Sequence, residues 1–190
     1  FWWGNNEQEK KLHWISWSKL AEVKGNGGMG FRDLEFFNKA LLAKQLWRII
    51  SSPNLLVSKV LRSKYLKDLK FLDKHPPISA SWSWKNIHSA WSLLEDGLWK
   101  RIGDGTQVNI WKDRWILESE TGRPATPSPA NCHLQTVSQL IRNGRWNGEI
   151  LQNVFNNVDR ERIISMPLSM FKRPDRFFWK FAKSGIYIVK

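Results

Sequence analysis

A chain of 190 residues, 42% of them hydrophobic, is long enough for one ordinary domain or two small ones with a real core. Its 30 lysines and arginines against 17 aspartates and glutamates leave a formal charge of +13, which points to an acidic partner, nucleic acid first. The single Cys132 excludes a disulfide framework and a multi-cysteine zinc site, and no apolar run reaches the ~18 residues of a membrane span.

The start Phe1-Trp2-Trp3-Gly4 has no charged leader and no small-residue cleavage site, so the expected setting is nucleus or cytoplasm rather than secretion. Trp2, Trp3, Trp14 and Trp17 stand among polar residues, and the glycines of Lys24-Gly25-Asn26-Gly27-Gly28-Met29-Gly30 predict a loop without a regular element. Asp33 predicts the N-cap of a helix over 34–50. Phe36, Ala40, Ala43, Trp47 and Ile50 lie on one face of it, and Leu42, Leu46 and Ile49 on a second. Pro53 opens a helix reaching residue 66, with Leu56, Val57, Val60 and Leu61 inward. Ser79 or Ser81 caps a third helix that Gly97 ends, with Trp84, Ile87, Trp91 and Leu94 as its core positions.

Residues 98–102 and 108–111 around Gly103-Asp104-Gly105 predict a central β-hairpin with Trp99 opposite Trp111. The stretch 118–132, with Pro124, Pro127 and Pro129, reads as a linker between a basic helical region over 1–117 and a smaller region over 133–190. Short helices are expected over 136–141, 149–155 and 159–165. The runs 177–181 and 186–190 around Lys183-Ser184-Gly185 predict a terminal hairpin that stops at Lys190 inside its second strand. Both ends therefore read as cut from something longer. The expected fold class is α+β, mainly helical.

Catalytic chemistry finds little support. Gly25-x-Gly27-x-x-Gly30 meets the literal dinucleotide spacing, but no hydrophobic strand precedes it. His13, His75, His88 and His133 are scattered, and the neighbours Cys132 and His133 cannot both ligate one tetrahedral ion without distortion. Glu95, Asp96, Asp104 and Asp113 read as solvent charges or turn residues. No catalytic residue, metal or cofactor is expected.

Lysines and arginines neutralise phosphates, and exposed aromatic faces stack on bases. Residues 1–75 carry +7 (14 basic against 7 acidic), which makes Lys39, Lys44, Arg48, Lys59, Arg62 and Lys64 on the first two helices the leading contacts. Arg101, Lys112 and Arg114, among Trp99, Trp111 and Trp115, form a second group. Trp47, Trp84 and Trp91 fall on apolar stripes and read as core. Two rival readings are a structural connector whose tryptophans bury against other segments, and a carbohydrate-stacking module, against which the excess positive charge argues.

Several stretches carry a family resemblance: Phe1-Trp2-Trp3-Gly4, His13-Trp14 with Trp17, Gly27-Gly28-Met29-Gly30-Phe31-Arg32-Asp33-Leu34 and Phe37-Asn38-Lys39-Ala40-Leu41-Leu42-Ala43-Lys44-Gln45-Leu46-Trp47-Arg48. Others are Val60-Leu61-Arg62-Ser63-Lys64-Tyr65, Trp84-Lys85, Ile102-Gly103-Asp104-Gly105, Ile110-Trp111 with Trp115, and Asp175, Phe178-Trp179, Ser184-Gly185, Tyr187 and Val189-Lys190. With these the chain resembles plant non-LTR (LINE-type) retroelement reverse transcriptase polyproteins, in the region after the polymerase core and before a Cys/His zinc-binding segment. The resemblance implies a thumb-side, connecting piece that helps grip an RNA or DNA template-primer and meets the rest of its polyprotein. It places the catalytic aspartates before Phe1 and the zinc ligands after Lys190. Ile188 replaces the family's small hydroxyl residue, and Val23 its proline before Lys24.

Overall fold

The computed structural model describes residues 15–66, 75–130, 132–169, 171 and 173–189. Trp2, Trp3, His13, Trp14 and Lys190 lie outside the described residues. The fold is α+β and mainly helical, as the periodicity predicts.

Ser16 caps a short helix α1 (Trp17–Ala21), accepting from the Lys19 amide. The glycine stretch departs from the expected loop, because Lys24–Asn26 forms a 3-10 turn, closed by Gly27 in the left-handed region at φ 80°. Asp33 caps α2 (Leu34–Ser51) as expected, taking the Glu35 and Phe36 amides. The second half of α2 supplies Ala43, Leu46, Trp47, Ile49 and Ile50 to the core, whereas Phe36 is exposed. In α3 (Leu56–Tyr65) only Leu61 of the expected inward face packs on the core. Leu56, Val57 and Val60 are exposed, and Ser58 is fully buried with its hydroxyl donating to the Arg48 carbonyl at 3.5 Å. A small side chain lets α3 approach α2, and Leu56, Val57 and Val60 are left outside.

Ser81 caps α4 (Trp82–Ser89), and the single helix expected there breaks at Ala90 before α5 (Trp91–Leu94). Trp84 and Leu94 are buried, Ile87 and Trp91 partly so, and Tyr65 stacks on Trp84 at 4.9 Å. Then come β1 (Leu98–Arg101), a 3-10 helix Val137–Leu140, β2 (Ile141–Arg142), β3 (Arg145–Trp146), α6 (Gly148–Val154), α7 (Asn157–Ser165) and β4 (Arg176–Trp179).

Both expected hairpins are corrected. β1 pairs antiparallel with β4 and not with 108–111, while Asn109 bridges to Thr136. The loop after β1 folds around the Asp175 carboxylate, so the chain leaves the ribbon instead of turning back. Trp99 therefore meets Phe178, and Trp111 stacks on Phe155. At the other end the Gly185 turn forms, with the Trp179 amide donating to the Gly185 carbonyl at 2.8 Å, but 186–189 makes no ladder. Its Tyr187 is buried against Trp179 and α2.

Two hydrophobic clusters result. One gathers α2, α4, α5, Leu66 and Tyr187, with Leu98, Phe177 and Trp179 of the ribbon packed on it. The other gathers Val108, Ile110, Trp115, Ile116, Val137, Leu140, Leu151, Phe155, Ile163 and Met166. Within the proline-bearing stretch, the Gly122 carbonyl accepts the Trp115 and Ile116 amides, and the buried Asp159 accepts from the Ala125 and Thr126 amides and the Thr126 hydroxyl. Among the described residues no helix is long and apolar enough to cross a membrane.

Candidate nucleic-acid interface

The cations singled out by sequence fall into two groups in the structure. Lys39, Arg48, Lys59 and Lys64 are exposed on α2 and α3, Lys39 pairing with Glu35 at 2.9 Å and Lys64 lying over the Tyr65 ring. Lys44 and Arg62 are half-buried, and each donates to a main-chain carbonyl, of Tyr187 and of Ile50 respectively. Arg114 is also half-buried, held by the Glu95 carbonyl at 2.7 Å and the Asp96 carboxylate at 3.3 Å. Lys112 and Arg101 are exposed. The nine positions divide by environment. Three of them support the fold from within, and six face solvent.

The positive surplus is set by composition, and several of the few carboxylates bond to main-chain amides rather than to cations. Asp33 holds the α2 amides, Asp159 the 125–126 amides, and Asp175 the amides of Gly103 at 2.6 Å, Gly105 at 3.0 Å and Gln107 at 2.8 Å. Asp113 takes the Asn109 amide at 2.6 Å together with Lys100 at 2.7 Å. Asp104 accepts from the Thr106 amide and hydroxyl, which pull its carboxyl below the usual range. Among the described residues Arg48, Lys59, Lys64, Arg101, Lys112, Arg142, Arg145, Arg176, Lys180 and Lys183 form no ion pair.

The β1–β4 ribbon concentrates this charge. Successive side chains of a strand point to opposite faces, so Leu98, Phe177 and Trp179 turn to the core while Arg101, Arg176 and Phe178 turn away from it. Arg101 stands directly opposite Arg176, and both are exposed. Its guanidinium lies 5.7 Å from the Phe178 ring centre, and Lys180 caps the buried Trp99 ring at 4.2 Å. The face thus reads Arg176 and Phe178 along β4, then Lys180 just past its end, with Arg101 and Trp99 beside them.

Sequence reasoning missed Arg176, Phe178 and Lys180 as site residues. Their alternation within Arg176-Phe177-Phe178-Trp179-Lys180 was the available signal, since period two separates a charged face from an apolar one. A second pair of cross-strand arginines, Arg142 opposite Arg145, flanks the Asn143-Gly144 turn. These two line an open cleft of about 500 Å³ with Trp146 and Asn147.

Glu95 and Asp96, considered for acid/base work, are exposed beside Arg114. His75 and His133 are exposed, His88 is buried against Trp84, and among the described residues no group of three or more potential metal ligands comes together.

Over 125 residues the chain is 43% identical to an uncharacterized mitochondrial protein of Arabidopsis thaliana, a match covering 65% of this chain and 80% of that protein. Over 202 aligned positions, taking in all of this chain, it is 30% identical to a putative ribonuclease H protein of Arabidopsis thaliana, of which it spans 32%. No protein-family model matches the chain. No solved structure matches it.

Proposed function

The chain belongs to the family of the uncharacterized Arabidopsis mitochondrial protein, and on that premise we propose that it is a retroelement-related, non-catalytic segment that contacts RNA or DNA. The observation that carries this reading is the surface of lysines and arginines that form no ion pair among the described residues. The relative named as a putative ribonuclease H protein, with the resemblance to LINE-type polyproteins, supports a template-primer as the ligand. In this reading the activity of the parent protein resides outside these residues, and the chain positions nucleic acid for it.

The test is a binding titration of the chain against a single strand and an RNA/DNA hybrid at rising salt. Neutralising phosphates releases counterions, so log K falls linearly with log salt, by about 0.7 to 0.9 per phosphate contacted. An affinity flat with salt contradicts the proposal.

A second reading rests on Leu56, Val57 and Val60, which are exposed together on α3. Apolar side chains clustered at a surface mark an interaction face, here one for another part of the parent protein. In that reading Lys59→Glu with Lys64→Glu leaves nucleic-acid binding unchanged.

A further inference from the structure

We infer that the outward face of the β1–β4 ribbon is a grip for single-stranded nucleic acid, with Arg101 and Arg176 on the phosphates and Phe178 against an unpaired base. This rests on the reading of the chain as a nucleic-acid contact and gives that contact a place and a ligand class.

Like charges directly opposite on an antiparallel pair destabilise it, and Arg101 and Arg176 are such a pair. Among the described residues neither has a carboxylate partner. An anion between the two guanidiniums removes the repulsion, and a phosphodiester accepts the planar fork of each. The alternation along β4 and into the residue after it suits a linear ligand. Arg176, Phe178 and Lys180 recur at two-residue intervals, roughly 7 Å apart, in the order cation, ring, cation.

Phe178 decides between single strand and duplex. Its ring is half-buried, set edge-on against Trp99 at 6.3 Å, and carries the Arg101 guanidinium at 5.7 Å. An aromatic ring joined to a planar cation is a stacking surface for a base, and only an unpaired base presents its face to one. The opposite side of the ribbon is fixed to the core by Leu98, Phe177 and Trp179, so the platform is rigid before the ligand arrives.

The experiment titrates the full chain with a labelled oligouridylate strand and with an RNA duplex of equal length, comparing three proteins. Arg101→Gln with Arg176→Gln weakens single-strand binding at least tenfold and makes the salt slope shallower by about 1.4, at about 0.7 per phosphate. Its melting temperature stays within about 4 °C of the parent, because the removed charges repelled each other. Phe178→Leu keeps the packing, leaves the slope unchanged, and weakens the single strand severalfold more than the duplex. A double variant that binds like the parent overturns the inference, and so does one that melts well below it, since the arginines are then structural. Equal losses on strand and duplex in Phe178→Leu overturn the assignment of the base. An unaltered chain that fails to bind overturns the broader reading, whereas a binding chain with unimpaired variants overturns the placement alone.

Discussion

The Asp175 carboxylate lies 2.6 Å from the Gly103 amide, joining positions 72 residues apart, and the same carboxylate holds the amides of Gly105 and Gln107. Gly105 sits in the left-handed region at φ 74°, where its carbonyl accepts the Ser138 amide. One side chain thereby fixes the loop that leaves β1, the approach to β4 and the neighbouring 3-10 helix.

Replacing Asp175 by Asn keeps the size but removes the charge and turns one acceptor into a donor facing an amide. Hydrogen bonds to charged groups contribute about 1.5 to 3 kcal/mol each, so Asp175→Asn costs about 2 to 3 kcal/mol. Thermal unfolding is expected to show a melting temperature lower by roughly 4 to 12 °C.

Asp159 is fully buried and secures residues 125–126 through three hydrogen bonds, while Asn156 donates its amide to Thr126 Oγ1 at 3.0 Å. Asp159→Asn is expected to free this stretch locally before the cores open. Amide hydrogen exchange reads the effect: the Ala125 and Thr126 amides, which donate to Asp159, exchange several-fold faster while the amides of the core helices keep their rates.

The tyrosines within the described residues titrate apart. Hydrogen bonds from Ser81 pull Tyr65 down to about 8 from the usual 10, while burial pushes Tyr187 up. Phenolate absorbance followed against pH is therefore expected to rise in two steps, and Tyr65→Phe removes the first. The signs for stability are opposite. A lowered folded-state pKa favours the folded chain above the unfolded value, and that contribution fades as pH falls through about 8. The raised pKa of Tyr187 disfavours folding once pH passes the ordinary tyrosine value.

On α3, Leu56→Glu with Val60→Glu is expected to change unfolding free energy by less than about 0.5 kcal/mol per site, because both side chains are already in water. Chemical denaturation measures this. The inward orientation suggested by the apolar spacing would instead cost several kcal/mol.

Helix α3 shows where sequence reasoning stops. Caps and helical periodicity are local, so Asp33, Ser81 and the spacing of Trp47, Trp84 and Leu94 led to the right helices and to buried tryptophans. Which face of α3 meets α2 depends on a non-local fit, and there Ser58 occupies the contact beside the expected Leu61, while Leu56, Val57 and Val60 remain outside. Strand partners are non-local too. Gly103-Asp104-Gly105 carries the residues of a tight turn, but an aspartate 70 residues onward takes its amides, which sends β1 to β4. The cations were legible as a surplus. Their sorting was not, because Lys44, Arg62 and Arg114 are drawn onto carbonyls that only the fold brings near.

The most direct measurement of the central claim compares two ligands of identical base order, a natural single-stranded oligonucleotide and an analogue with an uncharged backbone. If unpaired lysines and arginines hold phosphates, the natural strand binds at least tenfold more tightly at low salt, and the gap narrows as salt rises. Equal affinity for the two strands at low salt would contradict the account.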